Sequence, residues 1–322
     1  MKLPVLCLPV LFLVSCAPSS DNPIFPLLRG DYLGQPLPGD SIEIFAPGIV
    51  STGMYTRDIT MTPDGNEIYF CVSVANYSYA TILYTKRVNG VWQQPEIVPF
   101  SGGPGVLDFE PAITPDGNRI YFLSTRPDGD EPAGDQDIWY ADRQGENWGE
   151  PVNPGLPLNT DGGEFYPSPT RSGNLYYTHN DKGSAINRIY RARWNGMGFD
   201  EPEILPEQVN CGTNRFNAYA DPDERFMIVP AAGMEDAYDG VDYYIVHRDT
   251  ADNWSEPVNM GPAINKGNPR GWSAWVSWDR NLLFFMGSFK ADSLENWNFE
   301  TLKELHNSPK NGGSTIYWTR MY

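Results

Sequence analysis

One short pattern returns five times along this chain. Thr62-Pro63-Asp64-Gly65-Asn66-Glu67-Ile68-Tyr69-Phe70 recurs as Thr114-Pro115-Asp116-Gly117-Asn118-Arg119-Ile120-Tyr121-Phe122, with weaker copies at Thr170–Tyr177, Pro222–Val229 and Trp278–Phe285. Aligned on Gly65, Gly117, Gly173, Glu224 and Arg280, the copies stand 52, 56, 51 and 56 residues apart. A period near 50 residues built of strands belongs to a propeller rather than to a helical solenoid. The fold class expected is all-β: a five-bladed β-propeller of four-stranded antiparallel blades over residues 31–322. Aromatic content of 13%, with 31 Gly and 29 Pro for turns, suits that reading.

Each repeat divides into four strands. In Pro-Asp-Gly the proline presets φ and the glycine tolerates positive φ, so a tight turn joins an inner strand, such as 110–114, to a second, 119–124. A third strand follows in Ile82-Leu83-Tyr84, Ile138-Trp139-Tyr140, Ile189-Tyr190, Tyr243-Tyr244-Ile245 and Ile316-Tyr317-Trp318. A short polar residue precedes each, at Thr81, Asp137, Asn187, Asp242 and Ser314, able to satisfy backbone groups at a strand entry. The outer strand is marked by an aromatic three residues before a proline: Trp92 and Pro95, Trp148 and Pro151, Phe199 and Pro202, Trp254 and Pro257. An outermost strand is where a sheet tolerates proline.

The fifth repeat ends without that outer strand. Tyr32-Leu33-Gly34-Gln35-Pro36 resembles Trp148-Gly149-Glu150-Pro151, so the N-terminal segment is expected to complete the last blade and remove an open edge. Residues 292–308 depart from the pattern, with Leu294, Trp297, Leu302 and Leu305 at roughly helical spacing. Asp292 or Ser293 can cap the start and Pro309 follows the end, which predicts one short helix inserted in blade 5 and packed under the ring.

The N-terminus reads as an export signal. Lys2 supplies the positive charge, and the apolar run Leu3–Val14 is too short for a transmembrane span of ~20 residues. Leu13-Val14-Ser15-Cys16 resembles the lipobox of bacterial lipoproteins. That resemblance implies removal of residues 1–15, acylation of Cys16, a tether over 16–30, and membrane contact only through the lipid. Several acyl chains give near-permanent anchoring where one does not. Ala17 stands where an inner-membrane retention signal would place Asp, so the outer membrane is the expected address. In the folded part Cys71 and Cys211 remain, with no spacing pattern that pairs them.

The repeat itself resembles the WD40-like (PD40) propeller repeat of the TolB C-terminal domain and of many bacterial envelope lipoproteins. The second copy carries the likeness best: Phe109-Glu110-Pro111-Ala112-Ile113-Thr114-Pro115-Asp116-Gly117, then Ser124-Thr125-Arg126, Asp137-Ile138-Trp139-Tyr140 and Trp148-Gly149-Glu150-Pro151-Val152-Asn153. It covers residues 31 to 322 and implies the fold; TolB rings have six blades, against the five copies counted here. The Asp-box of sialidases does not occur.

Function is bounded by charge. Lys+Arg is 23 against Asp+Glu 41, a formal charge of -18, and no basic cluster reverses it. Nucleic acid is excluded as a partner, because a phosphate backbone needs a basic surface. Three scattered histidines, and the lack of a His-Glu-x-x-His, a Gly-rich phosphate loop or a Gly-x-Ser-x-Gly elbow, argue against zinc, nucleotide and serine-hydrolase chemistry.

Inner strands line the channel of a propeller. Counting back from each turn places Asp58, Glu110, Tyr166, Asn217 and Ser273 in one row, and Thr56, Asp108, Glu164, Arg215 and Gly271 two residues further back on the same face by alternation. Between the rows stand Arg57, Phe109, Phe165, Phe216 and Trp272. Acids with aromatics suit a protein or glycan ligand at the channel mouth. The alternative is glycoside hydrolysis. The carboxylates on blades 1, 2 and 3 are similar to those of five-bladed glycoside hydrolases, whose acid and base lie ~5–9.5 Å apart. Glu164 would then be the general acid and Asp58 the general base, with Asp108 or Glu110 tuning the pKa. A purely structural role is the third reading. No cofactor is expected. Asp128-Gly129-Asp130-Glu131 to Asp135 is acidic enough to hold Ca²⁺ but lacks the spacing of a calcium loop, and a solvated turn is the simpler reading. Arg126 is expected to pair with a neighbouring acid.

Overall fold

Turn chemistry sets the first hairpin of each blade. In the computed structural model, which describes residues 25–129, 136–291 and 296–321, Asp64 accepts from the Thr62 hydroxyl at 2.6 Å and from the Asn66 amide at 3.0 Å, while Gly65 takes φ +66°. Thr62 Oγ1 in turn accepts from the Glu67 amide. The same closed loop of bonds recurs at Thr114, Asp116 and Asn118, and at Ser277, Asp279 and Asn281. The repeat is thus a turn whose side chains saturate its own backbone, and a strand leaves it on either side.

Five antiparallel sheets result. The first three blades begin with inner strands Tyr55–Met61, Asp108–Ile113 and Gly163–Pro169, followed by Glu67–Val74, Arg119–Ser124 and Leu175–Asn180. Blade 4 has a split inner edge, Asn214–Arg215 and Tyr219–Ala220, both paired to Phe226–Ala232. Blade 5 runs Ala274–Val276, Leu282–Gly287 and Thr315–Arg320. Its outer strand is Glu43–Ile44, paired with Tyr317 and Trp318. The chain's two ends therefore share the last sheet. The strand lies seven residues beyond the expected Tyr32–Pro36 segment, which instead forms a tight turn with Tyr32 against Trp318 and Phe284. Gln35 clamps it by bonding the Ile44 carbonyl and the Ala46 amide.

In the other blades the aromatic before the proline does pair with the third strand, as the strands Val91–Trp92 and Asn147–Trp148 and as the bridged residues Phe199 and Trp254. Past the proline the outer edge pairs again, at Glu96–Ile97, Glu203–Ile204 and Val258–Asn259, with Val152 bridged to Tyr140. The aromatics before the proline are pegs between blades: Trp148 donates to the Tyr69 hydroxyl of blade 1, and Trp254 meets Tyr176 of blade 3 edge-on. Residues 28–30, within the expected tether, already run along the outer hairpin of blade 1, where Leu28 and Gly30 accept from Trp92.

Strand polarity gives the ring two faces. Pro-Asp-Gly turns and third-to-outer-strand hairpins lie on one, the turn face. Second-to-third-strand loops and blade connectors lie on the other, the loop face. The inserted helix, Phe299–His306, is on the loop face and starts at Asn298, whose side chain forms a capping box with Thr301. The expected caps Asp292 and Ser293 lie outside the described residues. None of the helix's side chains is fully buried, so it does not pack under the ring as expected. Its C-terminal end sits on Gly53, where a Cβ would come within 2.6 Å of Asn307. A four-residue helix, Pro262–Asn265, turns the connector between blades 4 and 5. Cys71 and Cys211 are both buried and unpaired.

Candidate functional site

The channel is closed by its own side chains. Inner strands of blades 1–3 carry a bulge at one shared position, where Asp58, Glu110 and Tyr166 take φ of 54°, 57° and 53°. A bulge re-aims a side chain, and left-handed backbone at a non-glycine residue persists only where the surroundings hold it. Here they do. Glu110 accepts from the Tyr166 amide at 2.6 Å, from Asn217 Nδ2 at 2.7 Å and from Arg57, which also bonds Asp58. The Tyr166 hydroxyl crosses to the Ala274 carbonyl at 2.6 Å, and the Asn217 amide reaches the Trp272 carbonyl. One polar network thus touches all five blades.

Its electrostatics are lopsided: two buried carboxylates face one guanidinium. Burial pushes the Glu110 carboxyl up to about 7; Arg57 pulls against that shift and the Asp58 charge reinforces it. Asp58 Oδ1 is buried and meets no donor among the described residues. Arg57 is held charged by Asp58 and Glu110 in spite of its burial. It lies over the Phe109 ring at 5.3 Å and the Tyr77 ring at 6.0 Å.

Above this plug the remaining row forms an aromatic collar. Tyr77 lies 6.0 Å from Phe109 and 5.8 Å from Tyr55, Phe165 packs against the same cluster, and Phe216 stacks on Trp272 at 6.0 Å.

The second row is tied elsewhere. Asp108 accepts from Ser101, the Gly102 amide, Ser124 and Arg126, so Arg126 does pair with a neighbouring acid. Glu164 is fully buried and accepts from the Thr160 amide and hydroxyl and from His179 Nδ1 at 2.8 Å. Its hydrogen bond raises the His179 pKa. Arg215 donates to four backbone carbonyls, of Asn187, Asn210, Cys211 and Gly212. Among the described residues no cluster of three or more His, Cys, Asp or Glu is arranged to hold a metal ion. Cys16 and residues 130–135 of the acidic loop lie outside the described residues.

The loop face also carries exposed apolar side chains that the channel count missed. Trp297 is 78% exposed and Phe299 74%, joined by Leu302, Met54, Tyr79, Ile186 and Tyr238. All lie in or beside loops whose lengths vary between repeats, where alignment on the turn carries no information.

No family model and no curated protein matches the chain. Solved structures do. A thermostable family-43 glycoside hydrolase is 15% identical at a TM-score of 0.50, covering 89% of this chain and 93% of that one. The putative TolB from Agrobacterium tumefaciens is 13% identical at 0.49, covering 84% of this chain and 91% of that one. TolB from Acinetobacter baumannii is 13% identical at 0.45, covering 83% of this chain but 54% of that one, so the chain spans about half its length. At such identities the likeness is one of fold, a β-propeller, and reaches no further.

Proposed function

We propose that this chain is an envelope-anchored lipoprotein of the WD40-like repeat type, a non-enzymatic binding module that holds a protein partner across its loop face. One observation carries the reading: blades 1, 3, 4 and 5 each expose aromatic or aliphatic side chains on the loop face, Trp297 and Phe299 most of all, while the channel beneath is shut. Trp297 and Phe299, two residues apart and both largely exposed, are side chains of the kind that anchor protein interfaces. The spread of exposed apolar side chains over several blades suits a macromolecule better than a single sugar. The lipobox-like Leu13-Val14-Ser15-Cys16 supports the anchor.

Glycoside hydrolysis is the second reading, favoured by acids on the inner strands of blades 1–3. The geometry supports it less. A general acid must reach a leaving-group oxygen, whereas both Glu164 oxygens are taken by Thr160 and His179 in a fully buried position. The test compares proteins captured from envelope extract by the parent chain, by a Trp297→Ala/Phe299→Ala double variant and by Trp194→Ala on the turn face. A partner held by the parent and Trp194→Ala but lost by the double variant supports the reading. Equal capture by all three overturns it. So does hydrolysis of arabinan, xylan or fructan by the parent that both Asp58→Asn and Glu164→Gln abolish.

A further inference from the structure

The turn face holds a second site. Between blades 2 and 3 lies an open cleft of about 520 Å³, within the range of small-ligand sites, ~300–1,000 Å³. Its wall is Trp194. In three other blades the residue whose backbone amide ties the third strand to the turn is an arginine: Arg87, Arg143 and Arg248 donate to Asn66, Asn118 and Arg225 carbonyls. Each of these guanidinium groups is engaged by an acid, Asp31, Glu67 or Asp252. In blade 3 the position is Trp194, tied by its amide to Asn174 Oδ1 and 39% exposed. Its indole lies against Gly173, where φ is +89° and any Cβ would come within 2.9 Å of Trp194 Cδ1. Phe199 meets it edge-on at 5.2 Å. A flat apolar ring is therefore fixed in place at the cleft before any ligand arrives.

The rest of the lining, from the blade 2 turn and from Arg171 in the blade 3 turn, is polar and charge-balanced. Arg119 lies 3.8 Å over the Tyr140 ring and bonds Asp142. Arg171, half exposed, bonds Asp223 of blade 4 through Nε. Asp116 and Asn118 are exposed at the turn. Two cations and two carboxylates, Asp116 and Asp142, line the cleft together, so it offers donors and acceptors without a net field. That excludes a phosphorylated or strongly anionic ligand, which would need unpaired cations. A pyranose fits: one face of the ring is C–H and packs on an indole, and its rim of hydroxyls both donates and accepts. We infer that this cleft binds a neutral saccharide, stacked on Trp194 and hydrogen-bonded by Arg171, Asp116 and Asn118. The site lies on the face opposite the proposed protein surface and does not depend on it.

The test is calorimetric titration of the folded chain with malto-, cello-, xylo- and mannohexaose. At least one should bind, with affinity unchanged between low and high salt. Trp194→Ala should weaken it at least about tenfold, the loss expected of an aromatic anchor, Trp194→Phe by less, and Trp297→Ala on the other face not at all. Thermal melting and circular dichroism establish that each variant is folded. Binding to none of the four, full affinity in folded Trp194→Ala, or binding only of phosphorylated or uronic sugars overturns the inference.

Discussion

Glu110 is the residue on which the ring's polar centre turns. Its carboxyl joins blades 1, 3 and 4 to its own, and burial raises it from an ordinary 4.5 to about 7. Between those two pH values the folded chain holds a proton that the unfolded chain has released. Stability from this group is thus fully present below pH 4.5 and is lost as pH rises through about 7, by up to ~3 kcal/mol. His179, raised by Glu164, adds a further loss above pH 6.5. Glu110→Gln keeps an acceptor for the Tyr166 amide and removes the proton. Urea unfolding from pH 5 to 8 should then show a steady decline in the parent and, in the variant, only the part above pH 6.5; equal slopes would refute the assignment. The row holding Asp58, Glu110, Tyr166 and Asn217 was legible because the turn fixes strand register. The bulge was not, because a left-handed backbone at Asp58, Glu110 or Tyr166 leaves no mark in the residue type. With the alternation broken, Asp108, Glu164 and Arg215 answer to loops and connectors and not to that row.

Among the elements, the connectors between blades carry a device of their own. Asn159, Asn210 and Asn265 each bond both the amide and the carbonyl of one third-strand residue, Ile138, Ile189 and Tyr243. Asn153 and Asn259 brace two of them. Asn265→Ala would leave the Tyr243 amide buried and unpaired, its carbonyl keeping only the Met260 amide, at a cost of ~1–3 kcal/mol. Asn118→Ala, at an exposed turn, should cost under ~1 kcal/mol. Guanidinium titration separates the two, and equal costs would dismiss the clamp. The signal stood in the sequence as Pro151-Val152-Asn153 with Asn159 and Pro257-Val258-Asn259 with Asn265, six residues apart. It escaped notice because a lone asparagine in a connector reads as a turn residue. The turns and inner three strands were legible, since Pro-Asp-Gly chemistry is local. The outer edge was legible as far as the aromatic before the proline, which pairs with the third strand; the second short pairing past the proline leaves no comparable mark. Helical spacing in 292–308 marked an apolar face but could not say that Trp297, Phe299 and Leu302 would stand exposed.

For the whole molecule, a propeller is a ring, and its stability rests on the seam where the ends meet. That seam here is unusually apolar: Phe45 is buried against Phe284 and Trp318, Tyr32 lies over the same pair, and Leu33 is enclosed beside them. Polar ties run alongside, from Ser51 to the Ile316 carbonyl and from Arg320 to the Pro38 carbonyl. Thr315–Arg320 would be an exposed edge without Glu43–Ile44, and an exposed edge both frays and recruits other chains. A chain beginning after Ala46 loses Phe45, Leu33 and the outer strand together. At ~1.5–3 kcal/mol for each large apolar side chain uncovered, and about 2 °C of melting temperature or somewhat less per kcal/mol in a ring of this size, it should melt about 5 °C lower or more. The loss should also be local at first. Amide hydrogen exchange should accelerate along Thr315–Arg320 and Leu282–Gly287, while Arg119–Ser124 and Leu175–Asn180, on the far side of the ring, keep their protection. A melting temperature unmoved by the truncation would mean that the five blades hold together without closure.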